Sequence, residues 1–356
     1  MPFTVFAQCN GHQSLCSKRY NEVAYLTTHN AYNSDEDGFN LPNHTYGITR
    51  QLNDGVRALM LDVHDEGGEA TVYHGFTWLG TTTLESNFNE IKAFLDANPN
   101  EVVTLLFETY ISANMMEQEL TQVGLLPMLH VQELGEPWPT LQEMINSGKR
   151  LVFFSDHNNG QSGQDWYHYM WSYAVETDFE NNALSDFDCE FNRGNPTNDL
   201  FILNHFATDP TVGTGRTDFA EQANEFNYFY ARARQCESEV GKFPNFPTVD
   251  FYELGNSLEV VDSLNEIPAT LGIGGKMSES AVSVFPNPGN GEFNLTWNNP
   301  IKALVRVFNS SGELVLESQS SGTSFQLNLV EFSEGDYHAV IQTADNAETV
   351  KLIHLR

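Results

Sequence analysis

The chain has 356 residues, of which 40% are apolar and 12% are aromatic. A length of this order suggests about two domains, and the apolar content is enough to fill their cores, which argues against global disorder. The formal net charge of -31 argues against nucleic-acid binding, which needs a basic surface. The sequence also contains no run of about 18 apolar residues, the length that a membrane-spanning helix needs.

The chain begins with an apolar stretch, and we interpret residues 1–8 as the remnant of a secretory signal peptide. The four cysteines, Cys9, Cys16, Cys189 and Cys236, include no CxxC pair, which disfavours a zinc site. An even number in an exported chain predicts two disulfides. Three connectivities are open, and we favour Cys9–Cys16 with Cys189–Cys236.

Residues 20–255 alternate strand-like apolar runs with helical patterns. Several runs are nearly continuous, as in parallel strands that are covered on both faces. Between them, residues 82–97 begin with a capping-box pattern and place their apolar residues on one helical face. This alternation predicts an α/β fold, a TIM-type (β/α) barrel spanning residues 9–268. The predicted strands are 24–30, 56–64, 70–75, 101–109, 150–156, 200–206 and 248–253.

The composition changes after the barrel. Residues 269–280 are predicted to be a linker that contains Gly and Ser. Residues 281–356 then form short alternating patterns, separated by turn signals such as Pro286-Asn287-Pro288-Gly289. This pattern predicts a small all-β sandwich of about 75 residues.

Four segments of the C-terminal region form a recognisable set, and they are Phe285-Pro286-Asn287-Pro288, Asn309-Ser310-Ser311-Gly312, Gly335-Asp336-Tyr337 and Lys351-Leu352-Ile353. With these segments, the region resembles the sorting domains of the type IX secretion system of Bacteroidetes. The resemblance implies that the type IX machinery is a partner, that the protein is exported across the outer membrane to the cell surface or medium, and that the tail is removed. The alternative is a generic β-sandwich adhesion module.

Polar residues follow apolar ones near the carboxyl ends of the predicted strands. In a β/α barrel these ends share one face, where active sites are built. Asp62 lies on the same strand face as Met60 and should point into the barrel mouth. Glu108 needs a cation or hydrogen-bond donors, because a buried unpaired carboxylate is costly. The strand-end residues are His29, Asn30, Asp62, His64, His74, Glu108, Asp156, Asn204, His205, Asp250 and Tyr252.

Asn30, Asp62 and Glu108 offer only oxygen ligands, and such a set suits a hard cation such as Ca²⁺. The histidines remain available for proton transfer, because an unperturbed imidazole has a pKa of about 6.5. Two histidines from different strands can flank a phosphodiester, one as base and the other as acid. The residues therefore indicate metal-assisted phosphoryl transfer.

Four segments form a set that is known from one family, and they are Thr28-His29-Asn30, 51–57, 61–65 and Tyr73-His74-Gly75. They resemble the X region of phosphatidylinositol-specific phospholipase C. The likeness is strongest to secreted, single-domain PLC-like phosphodiesterases, and it covers roughly residues 8–265. Those proteins also have the Asn-Arg-Gly and Asn-His-Phe segments that occur here at 192–194 and 204–206.

The resemblance implies an incomplete barrel that cleaves an inositol phospholipid at a membrane surface. His29 and His74 match the two catalytic histidines, and Asp250 matches the acid that orients His29. One histidine takes the proton of the attacking inositol 2-hydroxyl, while the other protonates the departing diacylglycerol oxygen. The expected product is a cyclic inositol phosphate, which water can open.

The resemblance also bears on the metal. Calcium-dependent members carry Asn after the first histidine, Glu-x-Asp on the second strand and Glu on the fourth. Asn30, Asp62 and Glu108 match this pattern, but Met60 replaces the first acid. The calcium site is therefore expected to be one ligand short, which also permits Mg²⁺.

The fifth predicted strand limits which phospholipid headgroups are expected. Members that bind phosphorylated inositol headgroups carry lysines there, whereas this chain has none after Arg150, so phosphatidylinositol, a glycosyl-phosphatidylinositol or another phosphodiester is expected. Arg193 is either a contact to the substrate phosphate or an ordinary surface arginine. Tyr252 either packs on the inositol ring or is an aromatic residue at the rim of the barrel. His205 is a further candidate for substrate contact. The alternative functions are cleavage of another glycerophospho- or sphingo-diester, and a non-catalytic lipid-binding module.

Overall fold

The computed structural model describes residues 8–158, 163–208, 215–267, 282–287, 289–309, 314–342 and 347–355. The chain divides into two compact units, Met1–Pro268 and Ala269–Arg356. Residues 1–7 of the predicted signal remnant and the predicted linker 269–280 lie outside the described residues. Within the described parts, no helix has the length and apolar character needed to cross a bilayer.

The first unit alternates strands with helices through most of its length. The α-helices are α1 Ile48–Asp54, α2 Leu84–Ala97, α3 Ala113–Val123, α4 Leu141–Ser147, α5 Thr217–Ala223, α6 Phe226–Val240 and α7 Ser257–Leu264. The strands are β1 Thr27–Thr28, β2 Ala58–Asp65, β3 Ala70–Val72, β4 Thr82–Thr83, β5 Val103–Tyr110, β6 Leu151–Ser155, β7 His168–Tyr169, β8 Ala174–Thr177, β9 Phe191–Gly194, β10 Leu200–Asn204 and β11 Phe246–Val249. Short 3-10 helices are Gln13–Leu15, Tyr20–Glu22, Thr77–Leu79, Leu126–Met128, Met170–Ser172 and Leu184–Asp186.

The barrel is built from parallel strands in the order β7-β6-β5-β2-β1-β11-β10-β8. Among the described strands, no hydrogen-bonded ladder joins β7 to β8. The sheet therefore remains open at this seam, and the barrel is incomplete, as the resemblance implied.

Two features of the sheet differ from the predicted strands. The segment predicted as a strand at 70–75 contains β3, which pairs antiparallel with β2 and is not one of the parallel barrel strands. The prediction also omitted β7 and β8, because the stretch 166–177 mixes aromatic and polar residues and lacks a continuous apolar run. The strands of this stretch are short, two and four residues long.

Helix α2 begins where the capping pattern predicts. The Thr83 side chain accepts a hydrogen bond from the Ser86 backbone N–H at 3.1 Å, which satisfies one of the free donors of the first turn. The buried side chains of α2 include the predicted apolar stripe. These stripe residues are Leu84, Phe88, Ile91 and Leu95.

Strand β2 shows which side chains face the barrel interior. Leu59 and Leu61 are buried in the apolar cluster that also contains the helix residues. Ala58 belongs to a second cluster, together with Leu106 of β5 and Ile202 of β10, so this cluster fills the interior. Since side chains alternate along a strand, the face of Ala58 also carries Met60 and Asp62, as predicted.

The segment before β1 fills the amino end of the barrel. Tyr20 is fully buried, and its ring stacks on Trp138 with the centroids 4.6 Å apart. The Tyr20 hydroxyl also forms a 2.7 Å hydrogen bond with the Thr104 hydroxyl of β5. This end is therefore packed, which leaves the carboxyl end of the strands for a site.

The first unit has two disulfides, in the pairing that the sequence favoured. Cys9–Cys16 closes a loop in the segment that packs at the amino end. Cys189–Cys236 joins the residues before β9 to helix α6. By closing a loop over 47 positions, the second bridge restricts the unfolded chain more than the first.

The second unit is an antiparallel sheet of β12 Val282–Phe285, β13 Glu292–Asn309, β14 Leu314–Asn328, β15 Gly335–Gln342 and β16 Ala347–His354. The first half of β13 pairs with β12 and the second half with β15, on either side of an irregularity between Thr296 and Ile301. Phe293 from the first half and Val305 from the second lie in one apolar core, as in the predicted small all-β domain. The predicted turn at 310–312 lies outside the described residues.

Candidate active site

His29 and Asp250 meet because their strands are neighbours. His29 directly follows β1, and its backbone N–H donates to the Val249 carbonyl of β11 at 3.0 Å. Asp250 directly follows β11, and its Oδ1 lies 3.0 Å from His29 Nδ1. An imidazole that donates its Nδ1–H to a carboxylate keeps Nε2 free to accept a proton.

Asparagine side chains hold the Asp250 carboxylate in place. Asn43 donates from Nδ2 to Asp250 Oδ1 at 2.9 Å, so this oxygen accepts from both His29 and Asn43. Asn33 in turn donates to Asn43 Oδ1 at 2.6 Å. The amides therefore fix the carboxylate that orients the histidine.

The His29 ring and backbone have further support. The ring is stacked on Phe206, which follows β10, with the centroids 3.9 Å apart and the planes at 11°. Nε2 of the buried His44 lies 2.7 Å from the His29 carbonyl oxygen, so it donates there. Burial lowers the pKa of His44, which favours this neutral, donating form.

His74 lies on the loop after β3, and its ring points toward β2. Its Nδ1 is 2.7 Å from Asp62 Oδ2, and this hydrogen bond raises the pKa of His74, with nearby Glu108 and Asp250 adding to the effect. The His29 and His74 ring centroids are 6.5 Å apart. The site therefore holds two imidazoles, each on its own carboxylate.

Oxygen-bearing side chains lie beside this histidine pair. Asp62 and Glu108 are direct neighbours in the parallel ladder of β2 and β5. The Tyr32 hydroxyl lies 3.4 Å from Asp62 Oδ2 and 3.5 Å from Asn30 Oδ1, which brings the asparagine to the same place. Burial raises the pKa of Glu108, and the nearby Asp62 carboxylate raises it further, although a hydrogen bond from Tyr110 opposes this.

The donors fit a hard cation by type. Asn30, Asp62 and Glu108 present amide and carboxylate oxygens, the donors that Ca²⁺ and Mg²⁺ take. Burial, and then repulsion from Asp62, raise the pKa of Glu108, and a cation bound there would offset both effects. Met60, on the same face as Asp62, is partly buried against the interior apolar cluster and adds no oxygen. The set therefore has two carboxylates and one amide, and within the described residues no group of three or more His, Cys, Asp or Glu side chains is placed to hold a metal ion.

The model of the PI-PLC X family, described as PI-PLC X 1, matches residues 15–265. The chain belongs to the PI-PLC X family. The model of the secretion system C-terminal sorting domain matches residues 283–355, which indicates export by the type IX secretion system.

The PI-PLC X match extends to individual proteins. A PI-PLC X domain-containing protein of Arabidopsis thaliana is 26% identical over 273 residues, which are 69% of this chain and 62% of that protein. PI-PLC X domain-containing protein 1 of Arthroderma benhamiae is 28% identical, over 72% of this chain and 89% of that protein. The phosphatidylinositol-specific phospholipase C of Staphylococcus aureus is 14% identical with a TM-score of 0.49, over 70% of this chain and 94% of that one.

A third buried carboxylate lies in the mouth of this PI-PLC X barrel. Glu176 of β8 accepts a hydrogen bond from Asn204 Nδ2 at 3.1 Å and forms an ion pair with Arg193. The Arg193 guanidinium is sandwiched between Trp171 and Phe179, 4.4 and 4.6 Å from their ring centroids. Because 41% of the Arg193 side chain is exposed, it can still contact a ligand.

Two predicted substrate contacts are buried instead. His205 is fully buried, with Nε2 2.8 Å from the Ala223 carbonyl and Nδ1 3.0 Å from Arg232 Nη1, so both ring nitrogens are bonded. Tyr252 is also buried, and its hydroxyl donates to Asp54 at 2.8 Å. The prediction that these residues contact substrate was wrong, because neither side chain presents a free surface to the site.

Two other strand-end residues lie at the site without joining the histidine pair. The His64 ring lies between Tyr73 and Tyr110, with centroids 4.1 and 4.5 Å away. Asp156 accepts the Thr109 backbone N–H at 2.9 Å. Their contacts indicate that they support the walls of the site.

The sequence analysis did not identify Asn43, Phe206 or Glu176 as site residues. Asn43 lies in an irregular loop, where no periodicity indicates the direction of a side chain. Phe206 is part of the Asn-His-Phe segment that carried the resemblance, which was the available signal for it. Glu176 lies on a strand that the apolar pattern did not reveal.

Proposed function

We propose that this protein is a secreted phosphodiesterase of phospholipase C type, which cleaves phosphatidylinositol-like lipids into diacylglycerol and an inositol phosphate. The observation that carries the proposal is the histidine pair. His29 and His74 come from separate segments, lie with ring centroids 6.5 Å apart, and are each bonded through Nδ1 to a different aspartate. This arrangement suits simultaneous proton removal and donation across one phosphodiester.

His29 acts as the base and His74 as the acid. As the inositol 2-hydroxyl attacks phosphorus, His29 Nε2 accepts its proton, and Asp250 stabilises the imidazolium that forms. The bond from phosphorus to the diacylglycerol oxygen breaks, and His74 Nε2 donates a proton to that oxygen. The hydrogen bond from His74 to Asp62 favours the protonated imidazole, which supports this assignment. The product is a cyclic inositol phosphate.

Asn30, Asp62 and Glu108 would hold Ca²⁺, or Mg²⁺ in its place. When bound there, the cation would supply positive charge next to the phosphate oxygens, where negative charge develops. Because Asp62 Oδ2 is bonded to His74, the same carboxylate orients the acid and serves the metal site. Met60 leaves this site with few charges, so we expect weak affinity.

Arg193 is the cation that we propose for contact with the phosphate or with an inositol hydroxyl. Its Nε is held by Glu176, and aromatic rings flank its guanidinium on both sides, so its position is fixed before a ligand arrives. Strand β6 ends in Phe154 and Ser155 and supplies no lysine. This supports an inositol ring without further phosphates as the headgroup.

The test is cleavage of phosphatidylinositol in vesicles by the purified full chain, followed by phosphorus NMR with EGTA and then with added Ca²⁺. A cyclic phosphate that appears only with Ca²⁺ supports both the reaction and the metal, and His29→Ala and His74→Ala should each abolish it. His12→Ala, at a half-buried histidine of the amino-terminal segment, is the matched control. Turnover that ignores EGTA removes Ca²⁺ from the proposal, and turnover that also ignores EDTA, which binds Mg²⁺ tightly, removes Mg²⁺ as well. Vesicle binding without cleavage supports a lipid-binding module instead.

Metal binding can be measured without turnover. Calorimetric titration with Ca²⁺ should give weak binding, which Glu108→Gln should abolish. Met60→Glu should tighten it, because this position shares the interior strand face with Asp62 and restores a carboxylate. Equal affinity in all three proteins would show that Ca²⁺ binds elsewhere.

A further inference from the structure

Helix α6 carries a buried arginine that takes no part in the proposed reaction. Arg232 is only 7% exposed, and burial lowers the pKa of its guanidinium to about 10. The guanidinium donates to the Asn204 carbonyl at 2.9 Å, to His205 Nδ1 at 3.0 Å and to the Asp188 carbonyl at 2.9 Å. None of these three acceptors carries a charge. The Phe187 ring covers the guanidinium, with its centroid 4.2 Å from the guanidinium carbon.

The acceptors of Arg232 explain what a buried cation contributes here. Burying a charge among uncharged acceptors is costly, because little Coulomb energy replaces the lost solvation. A guanidinium supplies a rigid planar fork, which fixes the directions of several acceptors relative to one another. Nη1 of Arg232 bonds to the carboxyl end of β10, and Nη2 bonds to the loop before β9. Both segments lead directly to residues of the site.

The carboxyl end of β10 carries the ring that supports the base. Arg232 Nη1 holds the Asn204 carbonyl and the His205 ring, and Phe206 follows immediately in the chain. The Phe206 ring is stacked on His29 with the centroids 3.9 Å apart. A shift of this segment would therefore move the surface on which the His29 imidazole lies.

The loop before β9 leads to the arginine of the barrel mouth. Arg232 Nη2 holds the Asp188 carbonyl, and the disulfide that joins this loop to α6 lies at the next residue. The loop continues into β9, which contains Arg193. Asn204 adds a second link, because its side chain donates to Glu176, the carboxylate that pairs with Arg193. One guanidinium therefore joins the supports of the base to those of the mouth arginine.

We propose that Arg232 is a positioning residue, which sets the placement of His29 relative to Arg193 and thereby the placement of the base relative to the phosphate. The roles of His29 as base and of Arg193 as phosphate contact rest on the proposed function. The placement itself does not, because it depends only on the contacts of the guanidinium.

Arg232→Lys tests this placement, because a lysine keeps the charge but lacks the planar fork. The position of Phe206 over His29 can be measured without turnover, from the ring-current shift of the His29 ring protons in protein with ¹³C-labelled histidine. Arg232→Lys should move this shift toward its value in Phe206→Leu. Arg234→Lys is the matched control, since Arg234 lies on the same helix with 49% of its side chain exposed and should leave the shift unchanged.

Kinetics on phosphatidylinositol vesicles gives a second readout, which a general loss of stability would not produce. Arg232→Lys should lower kcat about tenfold through the base, and it should raise KM through Arg193. In a Phe206→Leu background, Arg232→Lys should lower kcat no further, because residues that act through one contact are non-additive. In an Arg193→Ala background, it should no longer raise KM.

Two results would overturn the proposal. The first is a wild-type ring-current shift in folded Arg232→Lys, and the second is a loss of kcat that adds in full to the loss in Phe206→Leu. If Arg232→Lys does not fold, Arg232→Met serves in the same test, because it leaves no charge buried. Absence of cleavage by the wild type would contradict the proposed function, whereas the ring-current comparison would still decide the placement.

Discussion

The ring of Phe206 lies flat against the ring of His29, with 3.9 Å between the centroids. This stack and the Asp250 hydrogen bond together fix the plane and rotation of the imidazole. We predict that Phe206→Leu lowers kcat about tenfold with little change in KM, because a misplaced base slows the reaction without weakening lipid binding. Steady-state kinetics measures both constants. Phe201→Leu is the control for lost packing, because Phe201 lies on the outward face of β10, the strand that precedes Phe206.

Asp250→Asn should be more damaging than Phe206→Leu. The asparagine keeps the size of the side chain but removes the charge that stabilises the His29 imidazolium, and its amide disfavours the tautomer that leaves Nε2 free. We expect kcat to fall by about 10³-fold, with an unchanged folded structure by circular dichroism. Asp218→Asn, at an exposed carboxylate, is the control. A loss below about tenfold for Asp250→Asn would contradict a base role for His29.

The Glu176–Arg193 pair should matter for stability as well as for binding. Arg193→Ala leaves the buried Glu176 carboxylate with only Asn204 as a side-chain partner, and breaking such a pair costs about 3 kcal/mol of unfolding free energy. The double variant E176Q/R193A should recover most of this loss, because no charge is then buried. Urea denaturation of the first unit measures both differences. If the two variants are equally destabilised, lost packing of Arg193 on the aromatic rings dominates instead.

Two buried histidines should stay neutral in acid, as opposite tautomers. His168 Nδ1 donates to the Phe153 carbonyl while its Nε2 accepts the Gln132 N–H, whereas His205 donates from Nε2 and accepts at Nδ1. Burial lowers the pKa of His168 to about 4, and burial with the nearby Arg232 lowers that of His205. Ring ¹⁵N NMR shifts at pH 5.5 should identify both neutral tautomers.

The same histidines should couple stability to pH. Their folded pKa values lie below the unfolded value of about 6.5, so the unfolded chain binds more protons as the pH falls below that value. As the pH falls from about 6.5 to its folded pKa, each histidine should therefore lower the free energy of unfolding by about 1.4 kcal/mol per pH unit. Denaturant titrations at a series of pH values measure this slope. Protonated rings at pH 5.5 would contradict the burial described for them.

The sequence was most informative where one strand carries both packing and chemistry. The alternation in β2 placed Asp62 in the barrel mouth, and the strand ends placed His29 and Asp250 on one face, because parallel neighbours end together. The prediction was poorer where a contact depends on the curvature of the sheet or on the course of a loop. Neither the stacking of Phe206 on His29 nor the bond from Asn43 to Asp250 follows from local periodicity.

The wrong assignments have a shared physical cause. His205 and Tyr252 follow barrel strands, as true site residues do, but a side chain just beyond a strand can turn outward into the helical layer. His205 does so, with Phe229 of α6 stacked on its ring at 4.0 Å. Strand β8 was missed for another reason, since four residues among aromatic and polar neighbours carry too little apolar pattern to reveal Glu176.

The order of strands across the sheet also sets a time at which the site can first exist. Strand β1, the first of the barrel to be synthesised, pairs with β11, the last. His29 therefore cannot form its hydrogen bond until Asp250, 221 positions further along the chain, has been synthesised. A nascent chain that stops short of β11 carries both histidines but no oriented base, so the lipids of the producing cell are not exposed to the proposed activity until β11 and Asp250 have been made.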